Sequence, residues 1–205
     1  PTPTTTATPI GAGDHYRIYV AAGPDAPSVN LVDQFGTYAV DPGNATAFGV
    51  PVDKSCPTCG LGAISNPDEH LTFYPFAAPF GPTTIDVDNQ FGTQTLTIGD
   101  AVFLAVPSEK AVQPNPLPTP GIAFTIDHYA CYAASGAPIN LTVTLLDQFS
   151  ATSALVTNPS FFCNPVDKNN EGILNAATHL TCYDIVDTAT GQDSTIRNQF
   201  GEGAI

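Results

Sequence analysis

Apolar and polar residues alternate along much of this chain. Val29-Asn30-Leu31-Val32, Ile85-Asp86-Val87, Thr95-Leu96-Thr97-Ile98 and Leu141-Thr142-Val143-Thr144-Leu145 all keep the two-residue period of half-buried strands. A period of 3.6 residues is not sustained anywhere, because 20 Pro, 17 Gly and many Thr and Val interrupt it. The pattern predicts an all-β chain. The longest wholly apolar run, Ala101 to Val106, is far shorter than the roughly 20 residues of a bilayer-crossing helix.

The alternation is organised into repeats. "DHYRIY" begins at Asp14, "EHLTFY" at Glu69, "DHYACY" at Asp127 and "THLTCY" at Thr178. A Gln-Phe pair follows each histidine after 19 or 20 residues, at Gln34-Phe35, Gln90-Phe91, Gln148-Phe149 and Gln199-Phe200. A lysine follows the first three glutamines after 20 residues, at Lys54, Lys110 and Lys168. The chain is therefore four copies of a unit of about 41 residues, the last cut roughly in half.

One copy supplies about four short strands, too few to bury an apolar face alone, so copies are expected to pair as sandwiches. Between copies two and three, Pro114, Pro116, Pro118 and Pro120 favour an extended connection and forbid a central strand. The reading is two tandem β-sandwich domains. An extended arm (1–13) precedes a complete sandwich (14–110), and a Pro-rich linker (111–126) leads to an incomplete one (127–205).

Alignment of the copies sets Cys131 opposite Ile18, Cys163 opposite Gly49 and Cys182 opposite Phe73. Large and small residues replace a cystine where volume is conserved, so a Cys131–Cys163 disulfide is expected. The partner of Cys182 would align with Ala105, in the part that copy four lacks, which leaves Cys182 unpaired. For Cys56 and Cys59 in "SCPTCG", a structural disulfide is favoured over zinc or redox chemistry, because no second CxxC supplies further ligands.

"HLTCY", "DQF", "FFCNPVDKNNEGI" and "NQFGTQTLTIGDAVFLAVPSEK" resemble a functionally uncharacterised family of secreted bacterial proteins. Its members are built from tandem HLxCY / DQFG / LCNPVDK / NQFGxQxLxV / LCVPSxK repeats. The resemblance spans about residues 14–205 and implies extracellular β-domains, with no activity attached. The chain departs from the family pattern in losing the cysteines of its first domain and the closing strands of its second.

A formal net charge of −14 with only five basic residues would repel nucleic acid and anionic membranes. Scarce lysine, a Thr/Pro-rich start and disulfides suit an exported mature chain. Asn44 and Asn140 head glycosylation sequons. His15, His70, His128 and His179 share one repeat position, which favours an architectural role, bonding a loop through the adjacent Asp or the recurring Gln, over catalysis. Each lysine follows Asp53, Glu109 or Asp167, so a salt bridge is the expected partner, with an intramolecular isopeptide bond as the sharper alternative. Asp86-Val87-Asp88-Asn89 lacks the glycine and glutamate of a calcium loop. No catalytic motif, metal site or cofactor is indicated.

The unfinished last copy calls for something to cover it, since exposed strand edges aggregate. Thr4, Thr5, Thr6, Ala7, Thr8, Pro9 and Ile10 form an extended, uncharged, β-branched segment suited to strand addition. The acceptor edge is expected at Cys182, Thr195, Ile196, Asn198, Phe200 and Ile205. The resulting expectation is a non-catalytic subunit of an extracellular, pilus-like homopolymer, joined head to tail by donor-strand complementation. The alternative is a secreted adhesin or carbohydrate-binding module, which the absence of Trp disfavours; a secreted enzyme has the least support.

Overall fold

The computed structural model describes residues 13–205 as fourteen strands. Copy one contributes β1 (His15–Val20), β2 (Val29–Val32), β3 (Thr37–Val40) and β4 (Ala47–Cys56), and β5 (Gly60–Gly62) lies in the connection that follows. Copy two contributes β6 (His70–Ala78), β7 (Thr83–Asn89) and β8 (Gly92–Val112). Copy three contributes β9 (His128–Ser135), β10 (Leu141–Leu146) and β11 (Ala151–Lys168), and copy four β12 (Leu180–Val186), β13 (Ser194–Asn198) and β14 (Gly201–Ala204). Copies one to three share one plan, an opening strand, a hairpin and a closing strand, and copy four shows the opening strand and hairpin of it. In copies two and three the hairpin's second strand runs on into the closing strand, which makes β8 and β11 long.

The opening and closing strands form one antiparallel series, β1-β4-β6-β8-β9-β11-β12. Every closing strand lies between the opening strand of its own copy and that of the next. Alternate residues of all seven strands meet in one cluster: Tyr16, Ala47, Leu71, Phe73, Phe103, Ala105, Tyr129, Cys131, Phe161, Cys163, Leu180 and Cys182. The sheet therefore curls around a shared interior, and Phe103 of β8 touches Phe161 of β11 across it, ring centroids 5.3 Å apart.

The hairpins pack on the outer face and are exchanged between alternate copies. The copy-three hairpin pairs with β4 (Leu146 opposite Asp53), the copy-one hairpin with β11 (Val32 opposite Asp167), and the copy-four hairpin with β8 (Arg197 opposite Glu109). A recurring proline, Pro51, Pro107 or Pro165, lies where each closing strand leaves the next copy's opening strand and turns to a hairpin. Lacking an N–H, it suits a position between two pairing partners.

Asp33, Asn89, Asp147 and Asn198 each do two things. One side-chain oxygen accepts the backbone N–H of the Phe two residues on, at 2.8–2.9 Å, which builds the turn. The other side-chain atom bonds the opening-strand tyrosine two copies away: Asp33 with Tyr132, Asn89 with Tyr183, Asp147 with Tyr19 and Asn198 with Tyr74, at 2.7–2.9 Å. Copies one and three thus lock each other, as do two and four.

The all-β class and the tandem repeat hold, whereas the division into separate sandwiches at 14–110 and 127–205 does not describe the pairing. An opening strand has two edges, and the second takes the preceding copy's closing strand, so β8 pairs with β9 without a break (Ala105 opposite Tyr129). The Pro-rich segment is a surface connection pinned to this single body. Glu109 accepts the Ile122 N–H, Glu69 accepts that of Thr125, and Arg197 donates to the Pro118 carbonyl.

Candidate strand-acceptor slot

The series of strands has two ends, β1 and β12. They run in the same direction and approach each other: Gly13 adjoins Thr178 at one end, and Arg17 of β1 reaches Asp187, just past β12, at the other. Among the described residues no backbone pairing joins them. By the rule that holds for the other three copies, a closing strand belongs between β12 and β1.

Burial follows the same difference in pairing. The equivalent opening strands β6 and β9, paired on both edges, are largely buried, whereas Ile18 is 36% exposed, Val20 is 98% exposed, and Leu180, Thr181, Cys182 and Tyr183 of β12 are only half-buried. The buried side-chain polar atoms without a hydrogen-bond partner among the described residues also flank these two edges: the Tyr16 hydroxyl, Arg17 Nε and Asp187 Oδ2. Arg17 Nε and Asp187 Oδ2 face each other at 3.4 Å. The rest of the Arg17 guanidinium is well held, donating to Asp147 Oδ2 and Ser150 at 2.9 Å and to Thr152 at 2.7 Å.

A third edge points to the same place. Of the four hairpins, that of copy two has its outer strand β7 paired, among the described residues, only with β8. Its turn sits on β12, where Tyr183 donates to Gln94 at 2.6 Å and stacks edge-on with Phe91, centroids 5.3 Å apart. Its expected partner two copies on is the closing strand of copy four.

The cysteines fall into this register. Ile18 pairs with Gly49, Phe73 with Ala105 and Cys131 with Cys163, the large–small and cystine equivalence expected from alignment. A Cβ on Gly49 would lie 3.3 Å from the Phe73 ring, so the small residue makes room for its neighbour. The expected disulfides Cys131–Cys163 and Cys56–Cys59 are formed, with S–S 2.09 and 2.12 Å. Cys182 is free, lies opposite Phe161, and burial pushes its thiol up to about 12.

Of the expected acceptor residues, only Cys182 lies on the open edge. Thr195 and Ile196 are taken up by pairing of β13 with β8 and β14. Ile196 is wholly buried, Asn198 is bonded to Tyr74 and Ser108, and Ile205 pairs with Ser194. Phe200 lies under Lys168. The physical reason is the hairpin exchange, which gives the copy-four hairpin a partner in β8. The candidate donor residues Thr4 to Ile10 lie outside the described residues. Asn44 and Asn140 are both exposed.

The repeated histidines and lysines join successive copies. Gln148 donates to His70 Nε2 at 3.0 Å, while His70 Nδ1 donates to the Asp68 carbonyl at 3.0 Å. Gln199 contacts His128, and Gln90 bonds His15. Burial first, then the nearby lysine, lowers His15, His70 and His128 to about 4, so they are neutral and fitted to accept these bonds. Lys54, Lys110 and Lys168 lie over Phe91, Phe149 and Phe200, 4.2, 4.9 and 5.5 Å from the ring centroids. Desolvation lowers Lys54 and Lys110 to about 8.

The expected lysine salt bridges to the preceding acids are replaced by these contacts, and the isopeptide alternative has no support in them. Asp53 and Asp167 instead cap the N–H groups of Ile64 and Gly172, and Glu109 pairs with Arg197. Lys168 also meets Glu171. Sequence spacing flagged both partners of every Lys–Phe contact but not that each joins successive copies.

No curated protein and no solved structure matches the chain. A family model does match, over residues 70–205, which takes in copies two to four with the slot edge β12 and β7. On that match the chain belongs to the family described as a repeat of unknown function (DUF7450).

Proposed function

We propose that this chain is a non-catalytic structural subunit of an extracellular filament. Each molecule accepts one extended strand from a neighbour into the slot between β12 and β1. The observation that carries the reading is the convergence of three edges left open among the described residues, on β1, β12 and β7, on the place of one strand. A strand seated there gains backbone hydrogen bonds on both sides, each worth about 0.5–1.5 kcal/mol net. It also covers the exposed apolar residues of the two edges. The disulfides are compatible with an oxidising, extracellular setting. Head-to-tail insertion of this kind does not close on itself and gives a fibre.

The test is removal of residues 1–12, followed by electron microscopy and sedimentation. Loss of filaments, leaving an aggregation-prone monomer, is expected; persisting filaments would overturn the reading. A companion chain extended after Ile205 by a second copy of residues 97–110 supplies its own closing strand. It should remain a monomer.

A further inference from the structure

We infer that residues 5–12 of one molecule form the closing strand of the next in a single register, with Ala7 between Cys182 and Tyr16. This rests on the filament reading above and adds the identity, alignment and contacts of the inserted strand. The closing strands share a four-residue core of small residue, any residue, Pro and Val or Ser. It reads Gly49-Val50-Pro51-Val52, Ala105-Val106-Pro107-Ser108 and Cys163-Asn164-Pro165-Val166. The arm carries Ala7-Thr8-Pro9-Ile10, the same order of small residue, any residue and proline, followed by a β-branched residue as in copies one and three.

The register follows from the three complete copies. The small residue pairs with its own opening strand at Ile18, Phe73 or Cys131, which in copy four is Cys182. It pairs with the next opening strand at Leu71, Tyr129 or Leu180, which across the slot is Tyr16. The proline pairs with Tyr16, Leu71 or Tyr129, so Pro9 falls opposite Leu180. Ala7 then points into the shared interior, where its small side chain fits beside the Cys182 thiol, while Thr6 and Thr8 point outward.

The arm departs from the other closing strands after this core. Gly11 and Ala12 stand where Asp-Lys, Glu-Lys and Asp-Lys occur, so the inserted strand brings no lysine to sit over Phe35. It still brings backbone. Hairpin residues equivalent to Asp88 pair with the acidic position, as Leu146 does with Asp53 and Val32 with Asp167. Gly11 is thereby set beside Asp88 and Ala12 beside Val87.

That pairing also distinguishes whose arm is used. A chain folding its own arm into its own slot in this register sets Ile10 opposite Gly13 and needs Gly11-Ala12 as a two-residue turn. Those residues would then be unavailable to β7. An arm from another molecule can stay extended through residues 11 and 12 and satisfy all three edges at once.

The test is disulfide trapping in the full chain, with oxidised glutathione accepting the two electrons and two protons released by the paired thiols. Ala7→Cys should join Cys182 of another molecule, giving a ladder on a non-reducing gel that Cys182→Ala abolishes. Thr6→Cys and Thr8→Cys should give at most one-tenth as much. The same Ala7→Cys bond within one molecule would keep the register but overturn the neighbour as donor, and with it the filament reading. Trapping at Thr6→Cys or Thr8→Cys, or none with Ala7→Cys, would overturn the register. If removal of residues 1–12 still abolished filaments in that case, the filament reading would stand without it.

Discussion

β9 and β12 are entered alike, through His128-Tyr129-Ala130-Cys131 and His179-Leu180-Thr181-Cys182, yet they end in different environments. β9 has a closing strand on each side, β8 and β11, and its cysteine is bonded to Cys163. β12 has one among the described residues, β11, and its cysteine is free. Burial in this molecule is thus decided less by what a strand contains than by how many neighbours it has. β1 and β6 repeat the lesson: Ile18 is partly exposed where the equivalent Phe73 is buried.

The sharpest way to break the comparison is to truncate the same repeat position in both settings. Leu71 of β6 is wholly buried, and Leu71→Ala should cost about 2–5 kcal/mol. Leu180→Ala, at the equivalent place beside the slot, should cost less than half as much in a chain lacking residues 1–12. Urea unfolding of both variants checks this, and equal losses would mean that β12 is as well enclosed as β6.

A smaller difference is expected at the cysteines. Replacing Cys131 and Cys163 together by Ala removes a cross-link between residues 32 apart and should lower stability by about 2–4 kcal/mol. Cys182→Ala should change it by less than about 1 kcal/mol. Thermal unfolding under non-reducing conditions compares them.

Acid supplies a further test, since three buried histidines respond to it together. His15, His70 and His128 titrate near 4 in the folded chain, against 6.5 for an unperturbed histidine. Between those values the unfolded chain binds more protons, so stability is full above about pH 6.5 and falls as pH drops toward 4. His70→Gln should flatten this slope. A denaturation midpoint followed from pH 7 to 4 measures it, and an unchanged slope would exclude His70 as a contributor.

Much of this fold is legible in the sequence. The His, Gln-Phe and Lys anchors mark opening strand, hairpin turn and closing strand, and alignment of copies gives the Cys131–Cys163 bond. What alternation cannot give is the partner of each edge, because a period of two assigns residues to faces and leaves the neighbouring strand open. Hence the hairpin exchange escapes, and with it the true acceptor edge. One signal was present: the turn residue alternates Asp33, Asn89, Asp147, Asn198, so copies one and three share one chemistry and two and four the other. That is the pairing the tyrosine bonds follow.

The locking of alternate copies bears on how the molecule comes apart. In solenoid repeats each unit touches only its neighbours, so unfolding can start at a terminal unit and spread. Here the copy-one turn is held by Tyr132 and the copy-four turn by Tyr74, so neither end can peel away without opening the middle. The body should therefore melt in one cooperative step, with calorimetric and van't Hoff enthalpies in agreement. A fibre of such units would yield between subunits before any subunit unravels.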